Sequence, residues 1–230
     1  MSAGGPPATA LIVIAKAPFP GRSKTRLCPP CTPQQAAHLA EAALSDTLSA
    51  VAAVPGERRR LLVLEGSPGD RVPEGFEVHA QRSGGLDDRL AGAFAAAGAP
   101  AFLVGMDTPQ LEPRHVERGI AELERPGVDA VLGRAPDGGY WAIGLRQPDE
   151  RVFQGLPMSS ADTGAAQRRR LDDLGLGVAE LEALRDVDTI ADAYAVAAER
   201  PGSRFAGALE AMGLLPGARS TPSEVMLSGD

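Results

Sequence analysis

The chain has 230 residues, of which 43% are hydrophobic and 4% aromatic, and this length is sufficient for one large α/β domain with a continuous core. The formal net charge of -7 and the isoelectric point near 5.1 argue against general binding of nucleic acid or of an anionic membrane, because both favour basic surfaces. Any anion-binding site must therefore be local. No run of about 18 apolar residues and no signal-peptide pattern is present, so we expect a soluble cytoplasmic protein.

Short apolar runs bounded by turn residues predict the strands. Five of these runs are continuous, which is typical of strands covered on both faces. They lie at 10–15, 60–66, 76–81, 101–107 and 128–134. Two more strands are expected, over 140–145 after a turn signal and over 177–184.

Helical patterns separate these strands. Thr32, Pro33 and Gln35 supply an N-cap, a proline at the first helical position and a capping-box partner, for a helix that should run to about Ala53. Further helices are predicted over 86–97, 113–124, 163–175, 189–200 and 205–215. The order β-α-β-β-α-β-α-β-β-α-β-α predicts a single α/β domain with three layers, in which helices cover both faces of a doubly wound, mostly parallel sheet. We expect it to span residues 10–215, with a flexible segment 1–9 and a disordered tail 216–230.

The loop after the first strand, "AKAPFPGRSKTRL", carries four basic side chains. It is not a P-loop, because Pro18 and Ser23 stand where that motif needs glycines, and no G-x-G-x-x-G follows the strand. Charged side chains could instead hold a flexible polyphosphate. The candidate phosphate-binding residues of the loop are Lys16, Gly21, Arg22, Lys24, Thr25 and Arg26. The alternative is a solvated basic loop.

Three aspartate-bearing segments follow other predicted strands. Asp107 emerges directly after the fourth strand, where its carboxylate could bind a divalent cation or cap the next helix. Asp186 and Asp188 follow the last strand, and one of them could complete a metal site with Asp107, although Asp188 could equally cap a helix. Asp137 opens the turn Asp137–Gly139, which needs no function as a hairpin, but its glycines also permit close backbone approach to a ligand.

Two further features are weaker. Arg89, in a loop that enters a helix, could contact a phosphate or a base, or be a solvated helix residue. Cys28 and Cys31 form a C-x-x-C pair, but no second Cys/His pair at ligand spacing accompanies it. We therefore favour two small loop residues over a metal or redox site.

The basic loop and the three aspartate-bearing segments are four motifs. Their order along the chain resembles the GT-A-like nucleotidyl/glycosyl transferase superfamily over roughly residues 11–195. The closest resemblance is to bacterial GT-A-type glycosyltransferases linked to arsenosugar or radical-SAM gene clusters. The residues that carry it are Lys16, Pro18, Gly21 and Lys24 to Leu27; Gly105, Asp107, Pro109 and Leu111; Asp137 to Tyr140 with Ile143 to Leu145; and Asp186 to Thr189. The first motif is also similar to that of 2-phospho-L-lactate guanylyltransferases and molybdenum-cofactor guanylyltransferases.

The resemblance implies a nucleotide-diphospho-sugar transferase-like, Rossmann-like fold in which Lys24 and Arg26 hold the nucleotide phosphates and Asp107 binds Mg²⁺ or Mn²⁺. The expected metal ligands are Asp107, Asp186 and Asp188, and the expected catalytic residues are Lys24, Arg26, Asp107 and Asp137. We expect the acceptor to contact Gly138, Gly139, Tyr140, Ser159 and Ser160.

Nucleotidyl transfer from a nucleoside triphosphate to a small phosphorylated acceptor, either a sugar phosphate or a phospho- or phosphonate acid, is the favoured reaction. The pyrophosphate that leaves carries more negative charge than a nucleotide-sugar diphosphate and so makes better use of four cations. An acceptor oxyanion needs no general base, in agreement with the absence of histidine from these loops. Glycosyl transfer from a nucleotide sugar, with Asp137 as base, is the alternative, and a non-catalytic nucleotide-binding domain is a second. Nucleic acid and membrane are not expected partners, and a homodimer is left open.

Overall fold

The computed structural model describes residues 8–69, 72–98 and 100–215. The expected flexible start and disordered tail therefore lie largely or wholly outside the described residues. Within the described residues, no helix has the length and apolar character that crossing a bilayer requires. The described residues form one α/β domain around a seven-stranded sheet, as predicted.

The sheet is mostly parallel. Its strands are β1 (Ala10–Lys16), β2 (Arg60–Glu65), β3 (Phe76–Ala80), β4 (Ala101–Gly105), β5 (Ala130–Arg134), β6 (Tyr140–Leu145) and β7 (Val178–Leu181). They lie in the order β3-β2-β1-β4-β6-β5-β7. Strand β6 pairs antiparallel with both β4 and β5, while the other pairs are parallel. The short hairpin between β5 and β6 accounts for this one reversed strand.

Helices cover both faces of the sheet. They are α1 (Pro33–Ala52), α2 (Leu86–Ala97), α3 (Pro113–Leu123), α4 (Thr163–Asp173), α5 (Ile190–Glu199) and α6 (Arg204–Ala211). Helices α1 and α3 pack in one apolar cluster with the sheet, and α2 and α4 pack in another. A third cluster joins α1 to α5 and α6. This layering is the predicted three-layer, doubly wound arrangement.

Local hydrogen bonds fix the ends of several helices. The capping box of α1 forms as predicted, since Thr32 Oγ1 accepts from the Gln35 amide at 3.2 Å and Gln35 Oε1 accepts from the Thr32 amide at 2.8 Å. Asp46, buried in α1, accepts from the first two amides of α6, those of Arg204 at 3.1 Å and Phe205 at 2.9 Å. A carboxylate at a helix N-terminus is favoured by the helix dipole, so α1 fixes where α6 begins.

Two short 3-10 helices, Thr25–Leu27 and Glu150–Val152, were not predicted. The first lies inside the basic loop and buries Leu27 completely against the cluster of α1, α5 and α6. Cys31 is buried in the same cluster, and burial followed by the neighbouring Cys28 raises the pKa of its thiol. The basic loop is therefore anchored by apolar side chains at its end.

Candidate active site

The direction of the strand order reverses between β1 and β4. From β1 the chain adds β2 and β3 on one side, and from β4 it adds β6, β5 and β7 on the other. In open α/β sheets, ligands bind in the crevice outside the carboxyl ends of the strands at such a reversal. The basic loop follows β1 and Asp107 follows β4, so both segments flank this crevice.

The Lys24 ammonium contacts the loops that follow β4 and β7. Its Nζ is 2.6 Å from Asp107 Oδ1 and also donates to the backbone oxygen of Val187. The side chain of Lys24 is 9% exposed, whereas that of Asp107 is 50% exposed. Lys24 has φ 49° and ψ 40°, a left-handed conformation that is uncommon for a residue other than glycine and that directs the chain into the 3-10 helix. The ammonium thereby joins the loops after β1, β4 and β7.

Backbone and side-chain bonds hold the β4 and β7 loops together. The Val187 amide donates to the backbone oxygen of Asp107 at 2.9 Å. Gln110 Nε2 donates to the backbone oxygen of Arg185 at 2.6 Å. These contacts place the Asp186–Asp188 segment beside Asp107 although nearly eighty residues separate them in sequence.

An acidic cluster lies where the segment after β7 meets the turn between β5 and β6. One carboxylate oxygen from each of Asp137, Asp186 and Asp188 lies within 4.8 Å of the others. Arg26 Nη1 is 2.9 Å from Asp188 Oδ2, so a second cation of the basic loop reaches this cluster. A cleft of about 160 Å³ opens here, lined by Pro136, Asp137, Arg185, Asp186, Asp188 and Asp192.

Negative charge accumulates around Asp186. Its pKa is raised to about 6: burial is the largest cause, the carboxylates of Asp137 and Asp188 add to it, and a backbone hydrogen bond and Lys24 oppose it. Asp192 adds no net charge to the cleft, because Arg185 Nη1 lies 3.0 Å from Asp192 Oδ1. Carboxylate oxygens grouped in this way are the donor set that Mg²⁺ and Mn²⁺ take in proteins.

Neither Asp107 nor Asp188 caps a helix, although helix capping was the alternative prediction for each of them. Thr189 is the N-cap of helix α5, since its Oγ1 accepts from the Asp192 amide at 3.3 Å. Helix α3 begins after Glu112, whose amide donates to His115 Nδ1 at 3.0 Å. Asp188 and Asp107 are therefore used in side-chain ion pairs with the basic loop.

The ends of β1, β2 and β3 carry a second charged group. Glu65, the last residue of β2, pairs with Arg89 and lies 3.5 Å from Lys16 Nζ. The hydrogen bond from Arg89 to Glu65 lowers the pKa of Glu65. Arg89 also donates to Gln81 Oε1 at 3.2 Å. Arg89 and Lys16 thus lie on the β2 side of the crevice and Lys24 and Arg26 on the β7 side. Glu65 was missed in the sequence, although its place at a strand end is the signal that identified Asp107.

The glycine turn between β5 and β6 packs against the chain before α4. Gly138 has φ 94°, and a Cβ there would overlap the backbone oxygen of Ala161. The Gly164 amide donates to the Gly138 oxygen at 2.7 Å. Asp137 Oδ1 accepts from the Gly139 amide at 2.8 Å. The close approach permitted by these glycines is therefore to the protein itself, and it fixes Asp137 at the acidic cluster.

The other expected acceptor residues differ in exposure. Tyr140 donates its hydroxyl to Gln167 Oε1 at 3.3 Å, and burial raises its pKa well above the usual value. Its hydroxyl is thus engaged inside the protein. Ser159 and Ser160 are exposed in the loop before α4, with Ser159 in a left-handed conformation at φ 57°.

The predicted metal-binding and phosphate-binding residues thus fall into four groups. Asp186 and Asp188 meet Asp137, while Asp107, expected with them as a metal ligand, meets Lys24. Lys16 and Arg89 meet at Glu65. Gly21, Arg22 and Thr25 are exposed on the basic loop, and Arg22 forms no ion pair with any other described residue.

The sequence profile of a family described as "Uncharacterized protein conserved in bacteria (DUF2064)" matches residues 34–160, more than half of the chain. The chain belongs to the DUF2064 family. The matched segment of this DUF2064 protein contains Asp107 and Asp137, whereas the basic loop precedes it and Asp186 and Asp188 follow it. Among curated proteins, none matches the chain.

Solved structures share the fold of this DUF2064 protein. A provisionally named nucleotide-diphospho-sugar transferase from Desulfovibrio desulfuricans G20 has a TM-score of 0.78 at 24% identity, over 89% of this chain and 95% of that one. A cytidylyltransferase from Leptospira borgpetersenii serovar Hardjo-bovis has a TM-score of 0.56 at 12% identity, over 90% and 94%. The CMP:2-keto-3-deoxy-manno-octonic acid synthetase in complex with CTP has 0.54 at 16%, over 83% and 97%. The predicted nucleotide-diphospho-sugar transferase-like fold is confirmed.

Proposed function

We propose that this DUF2064 protein is a metal-dependent nucleotidyltransferase that couples a nucleoside triphosphate to a small phosphorylated acceptor and releases pyrophosphate. The observation that carries the proposal is the meeting of Lys24 and Arg26 with Asp107 and Asp188 where the strand order reverses. Cations for phosphate and carboxylates for a divalent cation lie together there, as phosphoryl-type transfer requires. Two fold neighbours support it by analogy, a cytidylyltransferase and a synthetase in complex with CTP.

Phosphate binding falls to the basic loop. Arg26 is 74% exposed and can swing from Asp188 to a phosphate oxygen, while Arg22 extends from the same loop. Lys24 offers three donors on a flexible stem from within the crevice. Arg guanidinium groups bind phosphate oxygens in pairs, and Lys acts as a point charge. Together they would stabilise the negative charge that collects on the departing pyrophosphate.

The carboxylates fit a Mg²⁺ or Mn²⁺ ion. Asp137, Asp186 and Asp188 have mutually close oxygens, and Asp107 lies beside the Asp186–Asp188 segment, paired with Lys24. When bound, such an ion neutralises phosphate oxygens and orients them. Asp137 is held for this by its own turn, since its Oδ1 already accepts from the Gly139 amide.

The acceptor's chemistry agrees with the absence of histidine from these loops. In this reaction an acceptor phosphate oxygen attacks the α-phosphorus, and the bond to the bridging oxygen of pyrophosphate breaks. An ionised phosphate needs no proton removed. The three histidines lie in α1, β3 and α3, and the one in α3, His115, is buried with its pKa lowered by that burial.

Glycosyl transfer is the second candidate, because the structure with a TM-score of 0.78 is provisionally named as a nucleotide-diphospho-sugar transferase. Asp137 would then remove the proton of an acceptor hydroxyl. The cation set favours nucleotidyl transfer, since pyrophosphate carries more charge than a nucleoside diphosphate esterified to a sugar.

Turnover distinguishes these reactions. The full chain is incubated with each of four nucleoside triphosphates and a panel of sugar phosphates, with and without Mg²⁺, and pyrophosphate release is measured. We expect release with Mg²⁺ only. Consumption of a UDP- or GDP-sugar with no pyrophosphate from any triphosphate would refute nucleotidyl transfer, and no turnover at all would favour a non-catalytic nucleotide-binding domain.

Asp107→Asn tests the assignment of the site. It should lower metal-dependent turnover by about 100-fold or more, since it removes one charged group from a site that acts by electrostatic stabilisation. The matched control is Asp173→Asn, at an exposed aspartate in the last turn of α4, and it should leave turnover unchanged. Full activity of Asp107→Asn would contradict the metal role of Asp107.

A further inference from the structure

The pair of Lys24 and Asp107 differs from the other ion pairs of the crevice in its burial. The Lys24 side chain is 9% exposed, whereas those of Arg26 and Lys16 are 74% and 69% exposed. Lys24 Nζ lies 2.6 Å from Asp107 Oδ1 and also donates to Val187 oxygen. An ammonium with these two oxygen contacts competes with a divalent cation for Asp107 Oδ1.

The charges of the crevice do not balance. Four carboxylates, those of Asp107, Asp137, Asp186 and Asp188, face two cations, Lys24 and Arg26, because Arg185 pairs with Asp192. Two negative charges remain, which one divalent cation would neutralise. Lys24 nevertheless holds one of the two carboxylate oxygens of Asp107, so in this arrangement Asp107 is only partly available to a cation.

We propose that Lys24 is an exchangeable counter-ion that keeps free divalent cations off Asp107 until a polyphosphate draws its ammonium away. The inference rests on the proposed function, in which Lys24 binds phosphate and Asp107 binds the metal. Because a lysine ammonium is a point charge on a rotatable stem, it can move between a carboxylate and a phosphate without movement of the backbone. The metal and the polyphosphate then bind together, each strengthening the binding of the other by the same factor.

Binding of Mn²⁺ alone, followed by electron paramagnetic resonance on the full chain without nucleotide, tests this role. Lys24→Met should bind Mn²⁺ at least ten-fold more tightly than the unmodified protein, because it frees Asp107 and removes a positive charge at 2.6 Å. Arg22→Met is the matched control. It removes the same charge from the same loop, but Arg22 has no ion-pair partner among the described residues, so the affinity should change less than about three-fold, as for a screened surface charge.

A second background isolates the pair. In Asp107→Asn protein, Lys24→Met should change the Mn²⁺ affinity less than about three-fold, since the carboxylate that Lys24 protects is gone. Lys24→Gly repeats the test in a variant whose backbone accepts φ 49° without strain, and should behave as Lys24→Met. Thermal unfolding of each variant confirms that it is folded.

The outcomes separate this inference from the proposed function. Unchanged or weaker Mn²⁺ binding in folded Lys24→Met and Lys24→Gly would overturn the counter-ion role, even if pyrophosphate release is observed. An equal gain in the Asp107→Asn background would overturn the action through Asp107. If Lys24→Met binds Mn²⁺ more tightly only when Asp107 is present, the counter-ion role is supported even if the enzyme transfers a sugar instead of a nucleotide.

Discussion

Lys24 combines a left-handed backbone with a buried ammonium. Its φ of 49° is a conformation that costs an L-residue with a side chain roughly 1–2 kcal/mol. Strain of this kind persists where the surrounding structure fixes it, and here the Asp107 and Val187 oxygens hold the side chain while Leu27 anchors the loop. The contacts of the Lys24 ammonium therefore accompany an unfavourable backbone conformation at the same residue.

The backbone cost can be measured separately from the ion pair. Lys24→Gly and Lys24→Ala both remove the ammonium, but only glycine adopts φ 49° freely, so the glycine variant should be more stable by about 1 kcal/mol in urea unfolding. At Lys16, in extended β1, the order should reverse, because glycine weakens a strand. Equal stability of the two Lys24 variants would show that the backbone at this position is not strained.

The sequence predicted those site residues whose position depends only on following the carboxyl end of a strand. Lys24, Arg26, Asp107 and Asp188 follow β1, β4 and β7, and parallel strands bring their carboxyl ends to one edge. The pairing of Lys24 with Asp107 was not predictable, since the same charges also allow both to face solvent. It depends on the buried Leu27 and on the Val187 oxygen, which no spacing reveals.

The hairpin of β5 and β6 is the element that delivers Asp137. Its turn was predicted from Asp137–Gly139, but the partner of the turn was not, because contact with the loop before α4 joins segments whose sequences carry no matching signal. The order of strands and helices was predicted because continuous apolar runs and helical spacing persist through each element. The 3-10 helix after Lys24 was missed because three residues are too few to show a period.

Gly138→Ala tests the packing of this turn. An alanine Cβ would overlap the backbone oxygen of Ala161 and would also require φ 94°, so the variant should lose about 2 kcal/mol of unfolding free energy. Gly139→Ala is the control, since its Cβ would come no closer than 3.2 Å to Asp137 Oδ1 and its φ is not positive. A loss at Gly139 as large as that at Gly138 would mean that the contact with Ala161 does not explain the conformation of the turn.

At the scale of the whole molecule, an acidic protein carries a group of cations in the loop beside its crevice. The net charge is -7, yet Lys16, Arg22, Lys24 and Arg26 all fall in the loop beside the reversal of strand order. Such a distribution repels polyanions from most of the surface and attracts them locally. The fold neighbours share this fold at 24% identity or less, and the fold alone does not determine what the crevice binds.

Nucleotide and metal together should stabilise the whole chain. Ligands that bind only the folded state raise its stability by about 2.7 kcal/mol at a concentration of 100 times Kd, which corresponds to a rise in Tm of roughly 5–10 °C for a chain of this size. In a thermal-shift screen of nucleoside triphosphates and nucleotide sugars, we expect the largest rise with a triphosphate plus Mg²⁺, and a smaller one with either component alone, because Lys24 must leave Asp107 before both bind. Asp107→Asn should lose the Mg²⁺-dependent part of the rise and Asp173→Asn should keep it. If a nucleotide sugar gave the larger rise at equal concentration, it would identify the donor as a sugar nucleotide and favour glycosyl transfer.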